Sequence, residues 1–139
     1  MVNDEKLYSA SNIRTIIKEG VYKRRKWFIC SVGTHPCVYV RITKKETALK
    51  WEEMPIDVHG GITYQQKKPK LSNSSKNQHI DVNPLIGWDY RHGNDFYYKP
   101  DKLDNISNSR VWTIKELENE VLSVIDQMEE LKQKNYVIK

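Results

Sequence analysis

Two histidines and three aspartates fall within two short segments in the middle of this chain, Asp57-Val58-His59-Gly60-Gly61-Ile62-Thr63-Tyr64 and Gly87-Trp88-Asp89-Tyr90-Arg91-His92-Gly93-Asn94-Asp95. Imidazoles and carboxylates spaced as Asp57-x-His59 and Asp89-x-x-His92-x-x-Asp95 suit zinc, manganese or iron, with a water left for hydrolysis. On that reading the ligands are His59, Asp89, His92 and Asp95, although the HExxH spacing of many zinc hydrolases is absent. The same residues suit an anionic small molecule such as a nucleotide or another phosphate ester. Gly60-Gly61 lets backbone amides approach a phosphate, Arg91 supplies charge, and Tyr64, Trp88, Tyr90 or Tyr97 offers a face for a base. His59 and His92 then donate hydrogen bonds, and Asp89 or Asp95 holds a ribose hydroxyl or fixes a histidine tautomer. A third reading needs no ligand: His59 and Asp89 satisfy each other across neighbouring strands while Asp95 caps a turn. Acid–base work by either histidine beside an aspartate also fits these residue types.

These groups must be positioned by strands. A period of two over residues 56–64 puts Asp57, His59, Gly61 and Thr63 on one face and Ile56, Val58, Gly60, Ile62 and Tyr64 on the other. The paired glycines mark a bulge or a close approach. Residues 85–91 read as a further strand, with Ile86, Trp88 and Tyr90 on one face and Leu85, Gly87, Asp89 and Arg91 on the other; His92 to Asp95 leave it in a turn. Between the two strands, residues 65–84 are polar and form a mobile loop able to act as a flap.

The remaining elements frame this pair. Residues 9–19 predict a short helix, capped by Ser9 or Ser11, with Ile13, Ile16 and Ile17 on one face and Gly20 ending it. Residues 21–32 predict one strand that begins with the basic run Lys23-Arg24-Arg25-Lys26, a solvated edge or a phosphate-binding stripe. If Gly33-Thr34 is a two-residue hairpin turn, residues 36–42 return beside that strand and Cys30 lies opposite Cys37 in a hydrogen-bonded pair, where two reduced thiols are expected. Residues 43–54 allow a helical turn or two, with Thr43 and Glu46 spaced as a capping box and Pro55 as the stop. Thr113 and Glu116 form a second box, and Leu117, Val121, Val124, Met128 and Leu131 follow at helical spacing over about five turns. The expected fold is therefore α+β: a mostly antiparallel sheet of about four strands, a short N-terminal helix, and a long C-terminal amphipathic helix packed on the sheet.

The chain has 139 residues, consistent with a single domain over 1–139. Its net charge of +5 is uneven. Residues 1–50 hold 11 basic and 4 acidic side chains, residues 51–112 hold 8 of each, and the remainder is acidic. A basic first third favours phosphate, nucleic acid or an acidic partner, with Lys23 to Lys26 and Lys67 to Lys70 as the contact residues. No apolar run reaches the length of a membrane span, and the first residues lack the pattern of a secretory signal, so a soluble, cytoplasmic protein without a membrane partner is expected. Nucleophile-elbow, P-loop and dinucleotide-binding fingerprints are absent.

The two central segments, followed by a helix opened by Trp112-Thr113, resemble a family of small uncharacterised proteins of bacteriophages and prophages. Members carry an Asp-Val-His-Gly-Gly-x-Thr-Tyr-like segment, a Gly-Phe/Trp-Asp-x-x-His-x-x-Asp-like segment and a closing helix. This chain differs at Tyr90-Arg91, where small residues are usual, and at Gly93-Asn94, in place of Ala-Gly. The resemblance covers roughly residues 36–130 and implies a phage setting inside a bacterial host. By analogy with phage proteins that counter host defence, it implies an accessory protein that sequesters a phosphorylated, nucleotide-like defence signal as a possible homo-oligomer. His59, Gly60, Gly61, Thr63, Tyr64, Trp88, Asp89, Arg91, His92 and Asp95 would line the ligand site. A metal-dependent phosphate-ester hydrolase, and an inhibitor that binds nucleic acid or a host defence protein, are the alternatives.

Overall fold

Three consecutive strands joined by two-residue turns lay down the first part of the sheet. The structure, a computed structural model, describes residues 4–8, 15–66, 84–92, 95, 97 and 110–134. Strands β1 (Thr15–Tyr22), β2 (Arg25–Ser31) and β3 (Pro36–Arg41) form a meander, and β4 (Tyr64–Gln66) and β5 (Leu85–Asp89) complete a five-stranded sheet. The order is β1-β2-β3-β5-β4 and every pairing is antiparallel. Helix α1 (Ile114–Gln133) packs on one face, so the class is α+β, with one strand more than expected.

The turn at Gly33-Thr34 works as its sequence predicts. Gly33 has φ +107°, the Val32 amide donates to the His35 carbonyl at 3.1 Å, and Cys30 pairs with Cys37. Both cysteines are buried thiols with no disulfide between them. Pro36 is the first residue of β3, so its missing amide hydrogen costs the ladder nothing. Thr43 and Glu46 form a reciprocal box, with the Thr43 amide donating to Glu46 Oε1 at 2.7 Å and the Glu46 amide donating to Thr43 Oγ1 at 3.2 Å. The turns that follow are 3-10, at Lys45–Ala48 and Trp51–Glu53.

Four expectations need correction. Residues 15–19 are extended, not helical, and residues 9–14 lie outside the described region. The spacing of Ile13, Ile16 and Ile17 imitates a helix because Ile17 occupies a bulge: Ile16 pairs with Cys30 while Lys18 pairs with Ile29. Residues 21–32 are two strands, because Lys23 (φ 49°) and Arg24 (φ 69°) both adopt left-handed backbone and reverse the chain. Neither is a turn former, so nothing in their side chains announces a hairpin. Finally, residues 56–64 do not form a strand; only Tyr64–Gln66 pairs, and it pairs with β5. The proposed loop at 65–84 begins within β4, and residues 67–83 lie outside the described region.

Arg25 and α1 explain how the sheet and helix are joined. Arg25, only 5% exposed, donates to both Glu46 oxygens at 2.7 and 2.6 Å, to Glu129 Oε2 at 2.8 Å and to the Arg41 carbonyl at 3.2 Å. A buried guanidinium is tolerated only when its donors are met in this way. Farther along α1, Lys18 pairs with Glu118, and Tyr22 and Lys23 reach Asp126 at 3.0 and 2.6 Å. The opposite stripe of the helix buries Leu117, Val121, Val124, Ile125 and Met128 against Trp27, Ile29, Val38, Val40, Ile86 and Trp88. Each such side chain contributes about 1.5–3 kcal/mol through removal from water. The capping box at Thr113 and Glu116 is formed as expected. No helix among the described residues is long and apolar enough to cross a membrane.

The Lys23-Arg24 turn gives a direct test of backbone strain. Left-handed backbone costs a residue with a Cβ about 1–2 kcal/mol, partly recovered on substitution by glycine, which has more freedom to lose on folding. Arg24→Gly is expected to raise stability by about 0.5–1 kcal/mol in urea unfolding; an unchanged or lower midpoint would contradict the turn geometry.

Candidate functional site

His59 owes its position to the two glycines that follow it. Gly60 and Gly61 have φ +73° and +75°, and the Gly61 amide closes a turn onto the Val58 carbonyl at 2.9 Å. The approach to this turn is pinned to α1: the Gln127 side chain accepts from the Asp57 amide at 2.6 Å and donates to its carbonyl at 2.9 Å. The His59 amide then donates to Glu120 Oε1 at 3.3 Å. The turn carries the imidazole onto the Tyr90 ring, with centroids 5.3 Å apart and planes within 1°, and beside Trp112, with centroids 4.9 Å apart.

Asp95 is the centre of the cluster. Its side chain is buried, with Oδ1 accepting from Trp112 Nε1 at 2.9 Å and Oδ2 accepting from the His92 amide at 2.9 Å. Oδ2 also lies 2.7 Å from His59 Nε2. Burial pushes the carboxyl upward, but the bonds from Trp112, the His92 backbone and His59 outweigh it and hold Asp95 below the ordinary carboxylate range. The carboxylate is therefore ionised, and His59 Nε2 carries the proton in the bond between them. Tyr8 holds Trp112 in turn: its hydroxyl accepts from the Trp112 amide at 2.9 Å and donates to the Trp112 carbonyl at 3.0 Å. The Arg110 guanidinium covers the outer face of the same indole at 3.5 Å and pairs with Glu116 at 2.9 Å.

His92 leaves β5 at the far side of this arrangement. Its Nε2 is buried with no hydrogen-bond partner, 3.3 Å from Asp89 Oδ1 in a geometry that makes no hydrogen bond. Its ring packs against Gly60, where an added Cβ would sit 2.2 Å from Nε2. One ligand atom each from His59, His92 and Asp95 lies within 4.8 Å of the others. Two imidazoles and a carboxylate arranged in this way can hold a transition metal and leave further positions open.

The residues selected on sequence therefore divide. His59, Gly60, His92 and Asp95 come together, with Asp89 beside them. Asp57 and Thr63 are exposed, and because the strand on which they were aligned with His59 does not exist, they share no face with it; the Thr63 amide instead meets the Gly87 carbonyl at 3.0 Å. Gly61 has open space around it. Tyr64 packs edge-on to Tyr39 on the opposite side of the sheet, centroids 5.5 Å apart. Trp88 and Tyr90 belong to the core under α1, so neither can stack a base. Arg91 lies over Tyr97 at 4.9 Å, outside the cluster. His59 takes Asp95 as its partner, not Asp89.

Other participants were missed. Trp112 entered the sequence reading only as the start of a helix, and Glu120 and Tyr8 not at all. Glu120 is the one of these with a local signal: it precedes Val121 and follows Leu117 by three, which tilts it toward the buried stripe. There it accepts from the Tyr90 hydroxyl at 3.2 Å, and Tyr90 accepts from Trp88 Nε1 at 2.7 Å. Burial pushes the Tyr90 hydroxyl so far up that it stays protonated. His35, in the β2–β3 turn, is a third imidazole close enough to feel Asp89, Arg91, Asp95 and His92; burial lowers its pKa.

Two measurements test this geometry. Gly61→Ala meets only backbone strain, about 1–2 kcal/mol, whereas Gly60→Ala must also displace His92 and is expected to cost about 1–3 kcal/mol more; equal losses would contradict the contact. Asp95 contributes stability above the ordinary carboxylate pKa of about 4, and that contribution is lost as pH falls through its lower folded value. Urea midpoints measured from neutral pH into this acid range should therefore fall more steeply for the native chain than for Asp95→Asn. The chain matches no family model, no curated protein and no solved structure.

Proposed function

We propose that the protein is a metal-dependent hydrolase of a phosphorylated, nucleotide-like ester, with the cation held by His59, His92 and Asp95. The observation that carries the reading is the convergence of these three groups within 4.8 Å while His92 Nε2 is buried without a hydrogen-bond partner. A buried, unsatisfied imidazole nitrogen costs about 1–3 kcal/mol, which a metal bond would offset. The change required is small. His59 Nε2 and Asp95 Oδ2, now 2.7 Å apart, would have to separate slightly and His92 to close in for the three to share an ion. An ion held there would take the place of the proton between His59 and Asp95. Trp112 Nε1 and the His92 amide already orient the carboxylate, as outer partners of metal ligands do.

Three protein ligands would leave a position for water, and a cation held there would supply the Lewis-acid activation that hydrolysis of a phosphate ester needs. Arg110, stacked on Trp112 beside the cluster, supplies positive charge that supports a phosphorylated substrate. Simple ligand sequestration finds less support, because Trp88 and Tyr90 are in the core, Tyr64 packs across the sheet, and the Tyr97 ring is taken by Arg91. In the phage setting that the resemblance implies, the substrate would be a host nucleotide signal.

The test is titration of metal-free protein with Zn²⁺, Mn²⁺ and Fe²⁺ by calorimetry, followed by assay of bis(p-nitrophenyl) phosphate. About one ion per chain is expected, with affinity reduced roughly 10–100-fold or more in His59→Ala and in His92→Ala. Failure to bind any of the three ions sinks the metal site; binding without hydrolysis sinks the hydrolase and leaves a metal-binding protein.

A further inference from the structure

At the other end of α1 the strands and helix enclose an open groove of about 530 Å³, lined by residues of the β1–β2 turn, the end of β3 and the last turns of the helix. We infer that this groove binds the phosphates of a polyanion through Arg24, Arg41 and Lys132, as a site separate from the His59–Asp95 cluster. The neighbouring cations are already committed. Lys23 is paired with Asp126, Arg25 is spent on Glu46 and Glu129 at the floor, and Lys26 lies over Phe28 at 5.9 Å. Arg24, Arg41 and Lys132 are exposed and have no carboxylate partner among the described residues. All three line the same concavity, together with the hydroxyl-bearing Thr43.

Three like charges gathered in one groove repel one another unless an anion joins them, and guanidinium groups match phosphate oxygens in pairs. The turn strengthens the case. Arg24 keeps a left-handed backbone that glycine would adopt without strain, and its side chain lines the groove. The lining has no aromatic residue, so recognition is of phosphate charge and not of a base. The volume lies within the range of small-ligand sites, while its openness to solvent also admits a chain passing through. Consecutive phosphates occur in two sources, a small polyphosphate and the backbone of a single-stranded nucleic acid, and the experiment separates them.

Full-length protein is titrated at low salt into a fluorescein-labelled oligothymidylate by anisotropy, and separately with inorganic tripolyphosphate by calorimetry. The combined variant Arg24→Glu, Arg41→Glu and Lys132→Glu is compared with Lys6→Glu, Lys50→Glu and Lys115→Glu, which carries the same change of net charge at exposed positions that do not line the groove. The groove variant is expected to lose at least about tenfold in affinity and the control far less. For the oligonucleotide, contact with three phosphates predicts that log affinity falls with log salt at a slope of about −2, flattened in the groove variant. Tripolyphosphate binding alone assigns the small-molecule source; oligonucleotide binding alone, or at clearly higher affinity, assigns nucleic acid. Arg24→Gly should bind more weakly while melting higher, a combination that general destabilisation does not produce. His59→Ala should leave this affinity unchanged, which keeps the result distinct from that of the metal site. No binding of either ligand, or equal losses in the groove and control variants, would overturn the inference.

Discussion

A carboxylate removed from water has to be met by donors on both of its oxygens, and Asp95 draws those donors from three separate segments. Trp112 at the entrance to α1, His92 at the exit of β5 and His59 on the glycine turn each supply one. The cost of leaving such a group unmet, several kcal/mol for a charge, exceeds what most surface contacts return. The positions of the three segments are therefore tied together. Tyr8 extends the network to the first described segment by holding both backbone groups of Trp112, and Glu120 extends it into the helix. Chemical capacity and structural cohesion reside in the same atoms: the proton that fixes His59 against Asp95 is the one a cation would displace.

A second buried charge performs the corresponding task at the opposite end of the helix. Arg25 joins β2 to the Thr43–Glu46 box and to α1 with all three of its guanidinium nitrogens engaged. Apolar burial along α1 supplies most of the attraction between helix and sheet, and it is indifferent to small rotations. The two polar anchors are directional and so set the helix's register over the strands. This division of labour leaves solvent-facing cations around the Arg25 anchor and leaves half-exposed imidazoles around the Asp95 anchor.

Much of this was legible from the chain where local rules decide. A glycine-led two-residue turn fixes a register, so the apposition of Cys30 and Cys37 followed from counting. The capping boxes at Thr43 and Thr113 and the alternation of Ile86, Trp88 and Tyr90 are equally local. The cluster's membership was partly legible, because His92 and Asp95 are close in sequence and all three residues are reactive in type. Its geometry was not. Two glycines in a row are compatible with a bulged strand or with a reversal, and left-handed backbone at both positions selects the reversal. Lys23-Arg24 turns the chain with residues of no turn preference, and a one-residue bulge at Ile17 gave β1 the spacing of a helix. Trp112 was out of reach because its role rests on a single indole hydrogen bond to a residue in another segment.

The sequence separations inside the Asp95 network carry a kinetic meaning. His59 meets Asp95 across 36 positions, and Tyr8 meets Trp112 across 104. The β1-β2-β3 meander, by comparison, closes through turns of two residues and needs little loop ordering. Contacts of such different range do not assemble at the same rate, since the entropy of closing long loops must be met before distant contacts return anything. The meander is thus the natural early structure, and the cluster exists only once β5, the glycine turn and α1 have all docked. Its integrity reports completion of the whole fold, so a partly assembled chain would hold a formed meander and no site.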